Sequence, residues 1–348
     1  MTSQRFSAEA LTAAVRAALA AEGVPEAVAR TESALMVDAD LCGVPSHGIV
    51  TLPKLLAGLR EGRATRDPRL RLRRDDRATC VLDGDNGPGR FVAASAMDLA
   101  IEKARQHGVG ICLAVNTTHW GRAHAYAVRA AGAGMIGLCA TNAIPTMAVP
   151  GVARAVLGNN PLAIAVPRGG DREPVVLDVA MTQAAFGKVA TCRREGSSVP
   201  GNWGLDASGH ATEDAAAILA SGLLLPMGGL KGIGLAIMLE LMTAALAGAP
   251  FSHEIVRQDA SGLDPGASKL FVAIDVAAVG DRAQFDARVD SMLEYLKCID
   301  PAHPLLAPGE RGWTVRREYE RDGVPVHPDI IEQLKASGVV VPGRPAAS

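Results

Sequence analysis

Aromatic residues make up only 3% of this 348-residue chain, too few for the stacking platforms that hold single-stranded nucleic acid. An excess of one charge is also missing. The 35 lysines and arginines against 37 aspartates and glutamates leave a formal charge of −2, so there is no electrostatic case for a polyanion partner. The six cysteines stand apart, at 42, 80, 112, 139, 192 and 298, with no C-x-x-C and no clustered histidines. That pattern excludes the spacing of a zinc site or a disulfide framework and reads as reduced thiols in the cytoplasm. No apolar stretch follows Met1-Thr2-Ser3-Gln4-Arg5, so no secretory signal is expected. The most apolar window, Gly232 to Ala249, contains Glu240 and opens on glycines, which favours a buried helix over a membrane span.

What remains is an ordinary globular composition, 48% hydrophobic and 21% charged, long enough for one large or two intertwined domains. Apolar periodicity predicts two helices over 8–36, broken at Gly23-Val24-Pro25, and a third over 51–61 with Thr51 as N-cap. Arg63 to Arg77, dense in arginine and aspartate, reads as a solvated edge strand. Strands are expected at 78–83, 109–115, 135–141, 162–166, 175–178 and 268–275. Helices are expected at 92–106, 123–131, 235–246, 284–298 and 329–336; Val199–Gly209 and Pro308–Trp313 read as loops. Gly132-Ala133-Gly134-Met135-Ile136-Gly137 matches G-x-G-x-x-G by letter. These glycines end a helix and open a strand, the reverse of a dinucleotide-binding loop, so they read as a helix C-cap.

Ser46-His47-Gly48 lies in a short turn just ahead of a helix, where free N–H groups favour an anion and an imidazole can move a proton at neutral pH. Taken alone, Ser46 could equally be a cap, Gly48 a turn residue and His47 a half-buried loop residue. Asp178 ends an apolar strand, where a carboxylate needs either a backbone cap or an imidazole as partner. Leu225-Pro226-Met227-Gly228-Gly229-Leu230-Lys231-Gly232 offers open backbone and a positive charge to a phosphate, or is simply a flexible loop with a surface lysine. It is no Walker loop, since no hydroxyl follows Lys231, and a phosphotransferase is disfavoured accordingly.

In this order the pieces resemble the malate/L-lactate/L-sulfolactate dehydrogenase family, non-Rossmann NAD(P)-dependent oxidoreductases, over about residues 8–335. The marks are Ser46-His47-Gly48, Asn116-x-x-His119-Trp120-Gly121, Thr141-Asn142, Gly158-Asn159-Asn160-Pro161, Leu177-Asp178-Val179-Ala180, the Leu225–Gly232 stretch and Pro308-Gly309-Glu310-Arg311. His119-Trp120-x-Arg122 is closest in motif to diketogulonate reductase. The resemblance implies an α+β fold. A discontinuous helical domain (1–75, rejoined by about 310–348) would cap a central mixed or antiparallel sheet domain (76–309), with a possible excursion of 120–155 into the helical part.

The resemblance also implies the chemistry. His47 would be the acid/base for hydride transfer between a nicotinamide and a 2-oxo or 2-hydroxy acid, with Ser46 and Asp178 beside it and Asp178 orienting an imidazole. His119, Arg122, Asn142 and Thr51 would line the substrate pocket. Val176, Leu177, Asp178, Val179, Ala180, Met181, Leu230, Lys231, Gly309, Glu310 and Arg311 would hold NAD or NADP. No metal is expected; the partners implied are a small carboxylic acid and a second copy of the chain. The family pattern reads Ser-His-Gly-x-x-Arg, and Thr51 stands at that arginine. Losing a bidentate pair there would remove roughly 2–5 kcal/mol of carboxylate binding unless Arg122 or Lys54 replaces it. Ketimine reduction, and cofactor binding without catalysis, are the competing functions.

Overall fold

The structure is a computed structural model describing residues 3–149, 152–255, 266–300 and 302–341. At its centre is a seven-stranded mixed sheet of β1 (Arg71–Asp76), β2 (Thr79–Asp83), β3 (Val109–Thr117), β4 (Met135–Thr141), β5 (Leu162–Val166), β6 (Val175–Val179) and β7 (Ala267–Asp275). The order is β1-β2-β3-β7-β4-β5-β6; only β2 and β3 run parallel. β1, exposed along its whole length, is the arginine- and aspartate-rich edge.

Helices α1 (Ala8–Ala21), α2 (Glu26–Leu41) and α3 (Leu52–Arg60) bury their leucines and valines in a core of their own. The C-terminal residues Val324, Val326, Ile330 and Leu334 complete that core, and Gln4–Phe6 pairs with Val324–Val326. α4 (Gly89–His107) and α5 (His124–Gly132) cover the sheet in a second, alanine-rich core. α5 packs on β4, so this part of 120–155 stays with the sheet. Gly134 turns left-handed (φ 80°) between α5 and β4, as expected of a C-cap and not of a dinucleotide loop.

Two local expectations fail, and one helix forms where none was expected. α6 (Phe186–Glu195) forms in a stretch with little apolar periodicity. α7 (Leu230–Glu240) begins five residues before the predicted Leu235 and passes into a π-helical turn, Leu241–Ala245. Gly232 lies inside it because any Cβ there would come within 2.3 Å of the Met227 carbonyl. Pro308–Trp313 is not a loop throughout, since α8 (Glu310–Asp322) starts directly after left-handed Gly309. Short helices and helix starts depend on tertiary contacts that periodicity does not register.

Candidate active site

The turn carrying His47 is built from below by α2. Asp40, in the last turn of that helix, is buried and accepts a hydrogen bond from the Ile49 N–H at 2.8 Å. Its carboxylate fills the space beside Gly48, where an added Cβ would lie 2.0 Å from Oδ1. Gly48 has φ −88°, so the glycine is required for room and not for conformation. Pro45–His47 forms one 3-10 turn, and the Ser46 hydroxyl sits 3.0 Å from His47 Nδ1. Ser46 in turn rests on Gly187 of α6, where a Cβ would come 2.4 Å from that of Ser46.

β3 delivers the second imidazole. His119 follows its C-terminal end, accepts from the Gly121 N–H at 3.2 Å, and stacks with its ring centroid 6.0 Å from that of His47. Around the two rings the charges are positive. Burial first, then Arg90 and Arg122, push His47 down to about 4. Burial, His47, Arg90, Lys269 and Lys54 hold His119 well below the usual histidine range. Buried Lys269 donates to the Thr117 hydroxyl and lies 5.8 Å from the Trp120 ring centroid. Both imidazoles are therefore neutral at pH 7, in a field that attracts an anion.

Asp178 does not orient an imidazole. Its Oδ2 accepts from Arg122 Nε and from the backbone N–H of His124, both at 3.2 Å. Of the two partners expected, the backbone one is present, and a guanidinium takes the place of the imidazole. Asn142 leaves the pocket: Oδ1 accepts from the N–H and hydroxyl of Ser268, and Nδ2 donates to Glu240 and to the Pro250 carbonyl. Its hydrogen-bonding capacity is spent, in a network that also ties Asn160 and Ser252 to buried Glu240. Thr51 does not cap α3 through its side chain. Its hydroxyl donates to the Gly48 carbonyl and accepts from Arg90, each at 2.8 Å.

The stretches expected to hold a nicotinamide dinucleotide converge on β6, the free edge of the sheet. At one end, Val176 N–H donates to the Pro308 carbonyl at 2.9 Å, and Gly309 (φ 88°) packs so closely that a Cβ would meet the Val176 carbonyl at 3.1 Å. At the other end, Met227 N–H donates to the Met181 carbonyl at 2.8 Å, and Thr182 bridges to Pro226. Val176 and Met181 are buried; Leu177, Leu230, Lys231 and Arg311 are exposed, and Glu310 pairs with Lys297. Gly229 opens α7 and Gly309 opens α8, neither with a side-chain cap, so two helix N-termini present free N–H groups. An extended edge flanked by uncapped helix starts and a lysine fits an anionic dinucleotide.

Asp38, Cys42 and His124 bring ligand-type atoms within 4.8 Å of one another. Asp38 is already paired with Arg316, and burial followed by Arg122 and Arg316 lowers His124 to about 3. Two guanidinium groups at that point repel a cation. Sequence reasoning overlooked Arg90, Asp40, Lys269 and Glu240. For Asp40 a signal existed, since it continues the buried α2 stripe of Ala29, Glu32, Ser33, Met36 and Val37 at helical spacing, where a charge needs a partner. Arg90 is basic in the first turn of a helix, against the dipole.

The malate/L-lactate dehydrogenase family model matches residues 6–335. Malate dehydrogenase of Pyrococcus abyssi is 32% identical, over 90% of this chain and 88% of its own length. L-sulfolactate dehydrogenase of Methanocaldococcus jannaschii is 35% identical, over 90% of both chains; its solved structure superposes with a TM-score of 0.88 over 98% of each. The solved delta1-piperideine-2-carboxylate reductase of Pseudomonas syringae superposes with a TM-score of 0.86 at 28% identity, covering 96% of this chain and 99% of that one. The chain belongs to the malate/L-lactate dehydrogenase family of NAD(P)-dependent oxidoreductases.

Proposed function

We propose that this protein interconverts a 2-oxo acid and its 2-hydroxy acid, with His47 as the proton-transfer group. The observation that carries the reading is a neutral His47, fixed through Nδ1 by Ser46 and surrounded by the charges of Arg90, Arg122 and the groups around His119. The stretches along β6 would hold the nicotinamide cofactor, which would supply or take up the hydride. In reduction, carbon C2 would gain the hydride as the C=O π bond breaks, and the oxygen would take a proton from Nε2 of His47 in its imidazolium form, returning it to the neutral imidazole. In oxidation, neutral His47 removes the hydroxyl proton as C2 gives up its hydride. Arg122 holds the carboxylate in place of an arginine at position 51: its Nη1 is buried without a partner, while Asp178 anchors its Nε. A bound carboxylate offsets the field that keeps His47 low, so substrate binding and protonation of His47 reinforce each other.

The same site would serve a cyclic C=N acid, a reading favoured by the piperideine-carboxylate reductase likeness. The second copy of the chain covers the stripe Leu235, Met238, Leu241, Met242 and Leu246, exposed apolar residues on α7 and its π-helical turn. Since Leu230 and Lys231 head that helix, pairing there borders the cofactor edge, and light scattering should return twice the chain mass. The decisive experiment offers malate, sulfolactate, pyruvate, phenylpyruvate and piperideine-2-carboxylate with each nicotinamide cofactor, to wild type and to His47→Ala. His47→Ala should lower kcat by about 10²–10⁴ with cofactor affinity unchanged. Equal losses in both would remove His47 from the proton step.

A further inference from the structure

We infer that Arg90 is a positioning residue for proton transfer: a strut that holds the His47 turn and the His119 loop at a fixed separation. The inference rests on His47 being the proton-transfer group. Arg90 occupies the first turn of α4 and is only 3% exposed. Its Nη2 donates to the His47 carbonyl and to the Thr51 hydroxyl, both at 2.8 Å, while the Thr51 hydroxyl donates its own hydrogen bond to the Gly48 carbonyl. One nitrogen thereby fixes three residues of the turn from beneath.

The other side of the guanidinium meets the His119 loop. A Cβ on Gly121 would lie 2.6 Å from Arg90 Nε, and one on Gly89 would lie 2.3 Å from the His119 carbonyl. Both glycines therefore let α4 and its arginine press against the loop that carries the second imidazole. Arg90 also pairs with buried Glu32, but that contact is long, at 3.4 Å, and Glu32 gives its other oxygen to the Phe91 N–H at 2.9 Å. The shortest bonds of Arg90 go to the catalytic turn and not to its counter-charge. A planar fork suits this task, because an ammonium offers no fixed pair of directions. The groups bearing on His47 are Asp40 beneath Gly48, Arg90 from α4, and Arg122 and His119 from the loop after β3. Lys54 of α3 and Lys269 of β7 act at His119.

The test uses the full-length protein and whichever of phenylpyruvate or piperideine-2-carboxylate is turned over. It reads kcat, cofactor Kd by nicotinamide fluorescence, and the His47 ring titration by NMR. Thr51→Val, which has no acceptor for Arg90, should lose about ten-fold in kcat with cofactor Kd unchanged, and Thr51→Ser, which keeps the acceptor, should recover most of that loss. Arg90→Lys should lose at least as much kcat while the His47 titration stays in place. Arg90→Gln should lose kcat and also move that titration upward, by about one pH unit, because the charge is gone. Should Arg90→Gln not fold, Glu32→Gln/Arg90→Gln removes the unpaired carboxylate and gives the same readouts. Wild-type kcat in Thr51→Val together with an unmoved His47 titration in the glutamine variant overturns the inference. If those variants behave as wild type while His47→Ala is inactive, the strut alone fails; an active His47→Ala overturns the functional reading beneath it.

Discussion

The two halves of the proposed site, the His47 turn for proton transfer and the β6 edge for the cofactor, are built in opposite ways. On the proton-transfer side nearly every group has an assigned neighbour: Asp40 fills the space beside Gly48, Ser46 rests on Gly187, and Arg90 clamps the turn from below. On the cofactor side, Gly229 and Gly234 have no atom within 4 Å of where a Cβ would sit, and Leu230 is 80% exposed. Proton transfer needs a donor held to within a fraction of an ångström, so that side is over-determined by burial. A dinucleotide is gripped along its length by many weak contacts, so its edge needs only an accessible strand and free helix N–H groups. Precision and access are separated in space: the core of α2 and α4 supplies one, the edge of the sheet the other.

The largest effect that would sharpen this contrast comes from Gly48→Ala. The added methyl meets a buried carboxylate bonded to Ile49 N–H, so urea unfolding should show a loss of about 2–3 kcal/mol, with kcat falling alongside. A neutral substitution there would mean that the turn yields easily and the contrast is false.

Asp40 supplies an effect of intermediate size. Burial raises its carboxyl to about 7 from an ordinary 3.8, partly countered by the Ile49 N–H and Arg90. Between these values the folded protein keeps a proton that the unfolded chain has released. Stability from this group therefore falls as pH rises through that window, by at most about 1.4 kcal/mol per pH unit, and levels off above it. His47 and His124 oppose it on the acid side. Their folded values of about 4 and about 3 lie below the ordinary 6.5, so their contribution is lost as pH falls from there. In denaturation series from about pH 5 to about pH 8, Asp40→Asn should gain on wild type as pH rises. A constant difference would remove Asp40 from the balance.

Lys231→Ala should have the smallest effect. With its side chain exposed at the head of α7, it should weaken cofactor binding only a few-fold and leave Tm unchanged. If Lys231→Ala cost more stability than Gly48→Ala, the division between a packed and an open half would be reversed.

Much of the sheet and its helices was legible because alternation and 3.6-residue spacing are local, and the decoy glycines at 132–137 could be set aside from element order alone. The motif residues were legible too, but their partners were not. Asp178 carries the sequence of a strand-end carboxylate, yet whether it meets an imidazole or a guanidinium depends on where the loop after β3 places Arg122. Asn142 reads as a pocket residue until Glu240, 98 residues away in sequence, is found to take its amide. The stretch 308–313 reads as a loop because Gly309 and Pro308 are breakers, while its packing on Val176 lets a helix start there.

By itself, the sequence determined most of the elements and the chemistry its motifs carry, two imidazoles and a glycine-lysine turn, since these follow from residue type and short-range spacing. Only the tertiary structure decided which charge faces which. Arg90, Thr51 and His47 meet because a helix start, a 3-10 turn and the end of α2 are packed into one place. A buried charge takes whichever partner packing brings within about 3 Å, and no local pattern along the chain records that choice.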